Sequence, residues 1–484
     1  MNSTAQYCPS PVAEYANNPL IEALPPILSE EEAAMSIAHF PTDPGAERSL
    51  PREVRLHCID RLKTLIQPLP IHIELESAVS SILRSGYVGR NPMQAATWRH
   101  LHTLSTDRRN LANFNSSAST FSLVGLSGIG KTTALNAVLS TYPQIITHHR
   151  YQNKEFIHTQ VTWLKLECPF DGSLSGLCHA FFKALDKALG QQDRYVARYR
   201  SKAGILEMIQ RMEQLASTYF IGALFIDELQ HLNAAKTGGK DNMLNFFVNL
   251  INSIGIPVVF IGTNSMVNLF SDVMRNARRA CGLGIYDFKQ PQQDDAVWEM
   301  LVEAAWGYQW VQKPAPLTPE IRSVLYEHTQ GVTDFLAKLM ILGQRYAIQA
   351  NIETLNPETF THVANTKMKL LKPALTVLKS RDLAAMKRFE DLMPPDEQLE
   401  AMMSHQAPQI SIGALAALRT TMVPNSSLPV RQQQPAEVLT PPAPKAVPVA
   451  QRIANHPSPM EALSAEGWLV TDTFEFSSSY RASA

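Results

Sequence analysis

The chain has 484 residues, of which 45% are hydrophobic and 18% charged, and it carries a formal net charge of -1 at pH 7. That length allows about two to four domains at ~100–200 residues each. So balanced a charge excludes an overall basic field of the kind that recruits nucleic acid or an anionic membrane, and any such contact belongs to a local patch. Five scattered cysteines (Cys8, Cys58, Cys168, Cys178, Cys281) without C-x-x-C spacing argue against a zinc site and a disulfide framework and fit a reducing compartment. The first residues lack the basic and apolar regions of a signal peptide, and no apolar run approaches the ~18–20 residues that span a bilayer. A soluble, cytoplasmic protein with no membrane partner is expected.

Residues 1–70 are rich in proline and mixed charge, and Asn18-Pro-Leu-Ile-Glu-Ala-Leu-Pro-Pro26 is their most distinctive piece. They read as a flexible N-terminal segment, either docking on a partner or packing loosely on the next domain. From Ile71 to Gly86, apolar positions recur at helical spacing and Gly86 can close the helix. In the turn that follows, Gly86-Tyr-Val-Gly-Arg-Asn-Pro92, the residues Tyr87, Val88 and Arg90 are either walls of a nucleotide base pocket or parts of an ordinary turn.

Phe121-Ser-Leu-Val-Gly-Leu-Ser-Gly-Ile-Gly-Lys-Thr-Thr133 is an apolar strand running into a glycine-rich turn and fits G-x-x-x-x-G-K-[ST]. Gly125, Gly128 and Gly130 let successive N–H groups turn inward around a phosphate. The next helix points its positive end at the same anion. Lys131 is placed to reach the β- and γ-phosphates and the Thr132 hydroxyl to ligate magnesium. With Ile129 and Thr133 these residues form the candidate ATP-binding set.

Gln160 to Cys168 is rich in strand formers and is expected beside the first strand; Leu174 to Leu189 follows as a helix. This β–α alternation predicts an α/β core with a parallel sheet and helices on both faces. Ala223-Leu-Phe-Ile-Asp-Glu228 is an apolar strand ending in two acids, about 95 residues downstream of the phosphate loop. Asp227 at the sheet's C-terminal edge can hold a magnesium shell, and Glu228 can orient or deprotonate the attacking water. Another strand, Ile256 to Gly262, ends at Thr263 and Asn264, which can report the γ-phosphate or simply cap the next helix. Arg275, Arg278 and Arg279 are either a solvated face or the source of an arginine that completes a neighbouring subunit's site, worth roughly 10³–10⁵ in rate.

Helical patterns at Trp298–Ala305, Ile321–Glu327, Val332–Ala350 and Pro357–Leu378 predict a small helical lid. The expected division is therefore an α/β ATPase core over 71–295, the lid with following helices over 296–392, and a tail over 393–484. Pro424 to Pro459 is crowded with proline, alanine, glutamine and valine, so the tail is expected to be disordered. Its last aromatics, around Trp468 and Phe474, are tethered docking anchors or incidental.

Asn18–Pro26, Gly86–Pro92, the phosphate loop with Thr141-Tyr-Pro-Gln144, Ile226-Asp-Glu-Leu-Gln-His-Leu232, Met243-Leu-Asn-Phe-Phe247, Ile261-Gly-Thr263 and Ala277-Arg-Arg279 together resemble TnsC. TnsC is the AAA+ regulator of target selection in multi-subunit DNA transposons. The resemblance, over residues 15 to 380, implies an AAA+ P-loop NTPase that polymerises on double-stranded DNA with ATP and Mg²⁺ as a ring or helical filament. It further implies partners: a target selector of the TnsD or TniQ type and the transposase subunits TnsA and TnsB, with hydrolysis driving disassembly. By the same resemblance Lys131 and Thr132 match the Walker A pair, Asp227 and Glu228 the Walker B pair, Thr263 the sensor, and Arg278 or Arg279 the trans arginine. The lid phrase Gly331-Val-Thr-Asp334 lacks the sensor arginine of many AAA+ proteins, and Lys338 is the nearest cation.

For DNA the available cations are Lys154, Lys183, Lys187, Arg194, Arg198, Arg200, Lys236 and Lys240, with Lys154, Lys236 and Lys240 the leading candidates. Alternatives to a transposition regulator are an initiator- or clamp-loader-like AAA+ ATPase, and a signalling NTPase that never binds DNA.

Overall fold

The three central strands of the larger sheet, Phe121–Gly125, Ala223–Asp227 and Val258–Gly262, are buried at every position, and the sheet is accordingly covered on both sides there. The computed structural model describes residues 2–106, 117–198, 204–234, 246–247, 250–266, 283–380, 389, 393 and 396–403. All belong to one contact unit, Met1–Pro408. The expectations placed on Arg200, Lys236, Lys240, Arg275, Arg278, Arg279 and the tail after residue 403 lie outside the described residues.

Strand β1 is Asn2–Thr4, and the N-terminal helices are α1 (Pro19–Glu22), α2 (Glu30–Ile37) and α3 (Arg52–Cys58). Helices α4 (Pro70–Val88) and α5 (Ala95–Thr106) lead to β2 (Phe121–Gly125) and α6 (Lys131–Ser140). Then come β3 (Ile145–Tyr151), β4 (Lys154–Val161), β5 (Trp163–Glu167), α7 (Leu174–Ala188), α8 (Arg194–Arg198), α9 (Ile205–Thr218), β6 (Ala223–Asp227), β7 (Val258–Gly262) and β8 (Ile285–Phe288). The lid comprises α10 (Ala296–Trp306), α11 (Pro319–Thr329), α12 (Thr333–Gln349), α13 (Pro357–Thr366) and α14 (Lys372–Ser380), and α15 is Asp396–Met403.

The five-stranded sheet runs β5-β6-β7-β2-β8, and every neighbouring pair is parallel. Side chains alternate between two cores: Phe121, Leu123, Phe225, Val259 and Ile261 face α4, α6 and the lid, whereas Val124, Leu224, Ile226, Val258 and Phe260 face α7 and α9. This is the α/β core, a parallel sheet with helices on both faces, expected from the alternation of elements. One neighbour relation differs. The strand expected beside β2 is split at Thr162 into β4 and β5, and β5 lies at the sheet's edge, with β6 and β7 between it and β2. Order in a parallel sheet is set by which helix faces pack after each crossover, and local strand propensity carries no trace of it.

A second, three-stranded sheet, β1-β3-β4, stands apart from the first. Its hairpin turns at Gln152 and Asn153, both at positive φ (47° and 61°), the geometry of a tight two-residue hairpin turn.

The leader expected to be flexible is built into the fold over Asn18–Leu24. Asn18 caps α1 through the Leu20 N–H and donates to the Tyr87 carbonyl at 2.8 Å, and Leu20, Ile21 and Leu24 are buried. Short apolar anchors between prolines suffice here because α4 offers them a matching apolar face. Farther on, Arg55 makes a bidentate pair with Glu353 (2.7 and 2.8 Å) and donates to the Trp310 carbonyl, tying α3 to the lid.

Helix α4 does not close at Gly86 but runs on to Val88. A Cβ at Gly86 would lie 2.6 Å from Pro257 Cγ, so this glycine serves a close approach to the residue preceding β7. The single helix expected over Pro357–Leu378 is two, α13 and α14, joined by a short 3₁₀ turn at Lys369–Leu371. Pro373 explains the break: it cannot donate within a helix and is accommodated in the first turn of α14.

Candidate nucleotide site

The glycine turn after β2 carries Gly128 at φ 78° and Gly130 at φ 103°, left-handed conformations open to glycine at no steric cost. Nothing lies within 4 Å of where a Cβ would stand on Gly130, whereas one on Gly128 would meet Asp334 and Val332 at 3.2 and 3.3 Å. The lid sits directly on this loop: the Asp334 N–H donates to the Gly128 carbonyl at 3.0 Å and the Thr333 hydroxyl to the Ile129 carbonyl at 3.3 Å. Lys338, the nearest cation in the lid, is engaged by Asp334.

Lys131 is buried and its ammonium donates to the Gly125 and Leu126 carbonyls, both at 2.9 Å. Next to it the Thr132 hydroxyl donates to Asp227 Oδ2 at 3.0 Å, joining the start of α6 to the end of β6. Asp227 is buried, and its other oxygen accepts the Glu228 N–H at 3.0 Å. Lys165 Nζ lies 3.0 Å from Asp227 Oδ2.

Glu228 itself has φ 57°, an uncommon backbone state for a residue with a side chain and one that collects at functional sites. Burial, and after it the neighbouring Asp227 charge, holds its carboxyl above the usual carboxylate range; His231 and Lys131 oppose that shift. Gln230 donates to Glu228 Oε2 through its amide nitrogen and accepts the Thr263 N–H at 3.2 Å through its oxygen. Thr263 is also hydrogen-bonded to Ser265 at 2.9 Å, so the end of β7 serves as a turn cap and as a wall of the site at once.

Lys131, Thr132, Glu228, Gln230 and Thr263 line a cavity of about 810 Å³. The rest of Ser127 to Ala134 also lines it, together with apolar Leu65, Ile66, Leu69, Leu301 and Ile341, charged Asp60, Lys63, Asp334, Lys338 and Arg345, and Leu399 and Met403 of α15. A nucleoside triphosphate suits a cavity that joins a phosphate-loop cradle to a mixed apolar and polar lining. Among the described residues no group of three or more His, Cys, Asp or Glu could hold a metal ion. The Thr132 and Asp227 pair instead fits Mg²⁺, which is usually held by one or two protein oxygens together with substrate phosphates.

The structure thus brings Gly128, Ile129, Gly130, Lys131, Thr132, Thr133, Glu228 and Thr263 onto one cavity, with Asp227 bonded to Thr132 behind them. Gly125 ends β2, where a Cβ would lie 2.7 Å from the Phe288 carbonyl oxygen of β8, so its role is strand packing as well as loop entry. Tyr87 and Arg90 stand elsewhere: Tyr87 donates to the Phe220 carbonyl at 2.8 Å and Arg90 to that of Ile221 at 2.7 Å. Both are buried at the C-terminal end of α4 and bond backbone carbonyls, and neither lines the cavity. Gln230 and Lys165 were missed in the sequence. The signal for Lys165 was a cation between Leu164 and Leu166 in a strand that should be apolar, and that for Gln230 an amide two positions after the second acid.

Of the cations considered for DNA, Lys154 is exposed beside the hairpin turn of the smaller sheet. Lys183 and Lys187 on α7 and Arg194 and Arg198 on α8 are exposed too. Asp186 holds those two helices together by accepting the Tyr195 and Val196 N–H groups. Among the described residues no helix is long and apolar enough to cross a membrane.

Residues 114–270 match the family model of the AAA domain. The fold and site therefore define an AAA+ P-loop nucleotide-binding protein over this stretch. No curated protein matches the chain in sequence. Among solved structures, Cdc6p from Pyrobaculum aerophilum is similar at 12% identity, with 69% of this chain and 88% of the other covered and a TM-score of 0.36. The Aeropyrum pernix ORC2 protein is similar at 8% identity (68% and 86% covered, TM-score 0.35), and a Drosophila ORC structure bound to DNA at 12% (76% and 92%, TM-score 0.34). At these scores they lend no more than a general likeness.

Proposed function

We propose that this protein is an ATP-hydrolysing, Mg²⁺-dependent regulator of DNA transposition of the TnsC type, which assembles on target duplex and links a target selector to its transposase. One contact supports the ATPase most directly: Thr132 and Asp227, 95 residues apart, meet at 3.0 Å beside the phosphate loop. The transposition role rests on the resemblance of the flanking phrases.

In this reading the N–H groups around Gly128 and Gly130 bind the phosphates, and Lys131 exchanges its loop carbonyls for phosphate oxygens. Thr132 and Asp227 hold Mg²⁺, which neutralises phosphate charge when bound. Glu228, kept basic enough by burial to accept a proton, orients and deprotonates a water. Gln230 and Thr263 fix the place of that carboxylate. Arg278 or Arg279 of a neighbouring copy supplies the remaining positive charge in trans. Lys154, Lys236 and Lys240 contact the DNA backbone, and the selector (TnsD or TniQ type) and the transposase subunits TnsA and TnsB engage the assembled form.

Negative-stain imaging with duplex DNA tests this. Rings or filaments with a non-hydrolysable ATP analogue and none with ADP are expected. Bare DNA in both would favour an NTPase that does not bind DNA. DNA-bound assemblies that leave strand transfer unchanged but respond to replication partners would favour the initiator-like alternative.

A further inference from the structure

Lys165 sets a cation against the carboxylate that ends β6. It lies in β5 between Leu164 and Leu166, which are buried and anchor the strand, while its own side chain is one-fifth exposed (20%) at the sheet's edge. Its ammonium stands 3.0 Å from Asp227 Oδ2 and 3.3 Å from Asn136 Oδ1 on α6. The same Asp227 oxygen accepts the Thr132 hydroxyl, and the other accepts the Glu228 N–H.

We infer that Lys165 is an exchangeable counter-ion for the metal carboxylate: it occupies Asp227 in the nucleotide-free site and yields that oxygen to the divalent cation that arrives with nucleotide. This rests on the nucleotide-site reading above. A carboxylate buried as deeply as Asp227 is strongly disfavoured without a compensating charge, and Lys165 supplies it. A divalent cation held by Thr132 and Asp227 approaches the same oxygen, and two cations a few ångströms apart in a partly buried site repel. Lys165 has somewhere to go, since Asn136 offers a second acceptor and the sheet edge offers water. The exchange makes free divalent metal a weak ligand of the empty site, so that metal enters with the charge of the phosphates. Lys165 is thus a positioning residue for metal loading, with no contact to the reacting atoms.

The test is Mn²⁺ titration of the full-length protein followed by electron paramagnetic resonance, without nucleotide, alongside fluorescent-nucleotide binding to the same samples. Lys165→Met and Lys165→Gln should bind Mn²⁺ about tenfold more tightly than the wild type, and Lys165→Arg should stay near it. In an Asp227→Asn background, Lys165→Met should change nothing. If both neutral variants bind Mn²⁺ no more tightly than the wild type while the wild type binds nucleotide, the exchange is overturned and the nucleotide site stands. A wild type that binds no nucleotide overturns both.

Discussion

Thr132 and Asp227 are 95 residues apart in sequence and share a hydrogen bond of 3.0 Å. Lys131 lies beside them on the loop carbonyls, which separates the roles of the two neighbouring side chains. Lys131→Ala should weaken nucleotide binding itself. Thr132→Ala and Asp227→Asn should leave nucleotide bound but cut Mg²⁺-dependent turnover by about a hundredfold or more, as expected where charge neutralisation dominates. Fluorescent-nucleotide binding with and without Mg²⁺ separates these effects.

Glu228→Gln keeps the shape of the side chain and removes its basicity. Turnover should fall by roughly 10²–10⁴ with nucleotide affinity intact, and ATP-bound assemblies on DNA should persist. Normal hydrolysis in this variant would remove Glu228 from its assigned role.

Arg55 is buried and bidentate to Glu353. Arg55→Ala strands that carboxylate and should cost about 3–5 kcal/mol of stability. Replacing both partners by apolar residues of similar volume should cost much less, read by chemical denaturation.

His148 is buried between the Tyr7 hydroxyl (2.8 Å) and Gln160 (2.9 Å), and burial pushes its imidazole down to about 4. The unfolded chain therefore takes up a proton near pH 6.5 that the folded one refuses until about pH 4. Its contribution is fully present above pH 6.5 and is lost as pH falls from there toward 4, by about 3 kcal/mol at most. His148→Gln should flatten the fall of thermal stability across that window.

Lys154 tests the DNA contact. If its ammonium neutralises one phosphate per subunit, Lys154→Ala should reduce the log–log salt slope of DNA binding by about 0.9 per subunit contact. An unchanged slope assigns Lys154 to the solvated surface.

The strand, glycine loop and helix around Lys131 were legible because each signal is local: an apolar run, spaced glycines, then helical periodicity. Asp227 and Glu228 were legible for the same reason. The edge position of β5 was not, because parallel pairing joins segments through helices whose packing no short window records. Gly86 looked like a helix end when its neighbour is Pro257, distant in sequence. Arg90 looked available for a ligand when its partners are backbone carbonyls of residues 221 and 222. Gln230 was passed over because an amide two positions after an acid pair has no motif; its partners, Glu228 and the Thr263 N–H just past β7, meet it only in the fold.

Asp227 ends β6 and Thr263 follows the last residue of the neighbouring β7, and the ladder Leu224↔Val258 through Ile226↔Phe260 sets their relative height. The sheet therefore acts as a ruler with one graduation per residue. Slipping β6 by a single step along β7 would displace Asp227 by ~3.3 Å and turn it to the opposite face, leaving Thr132 without its partner. Misregistered chains would be inactive even when compact, so an added residue inside β6 should abolish turnover.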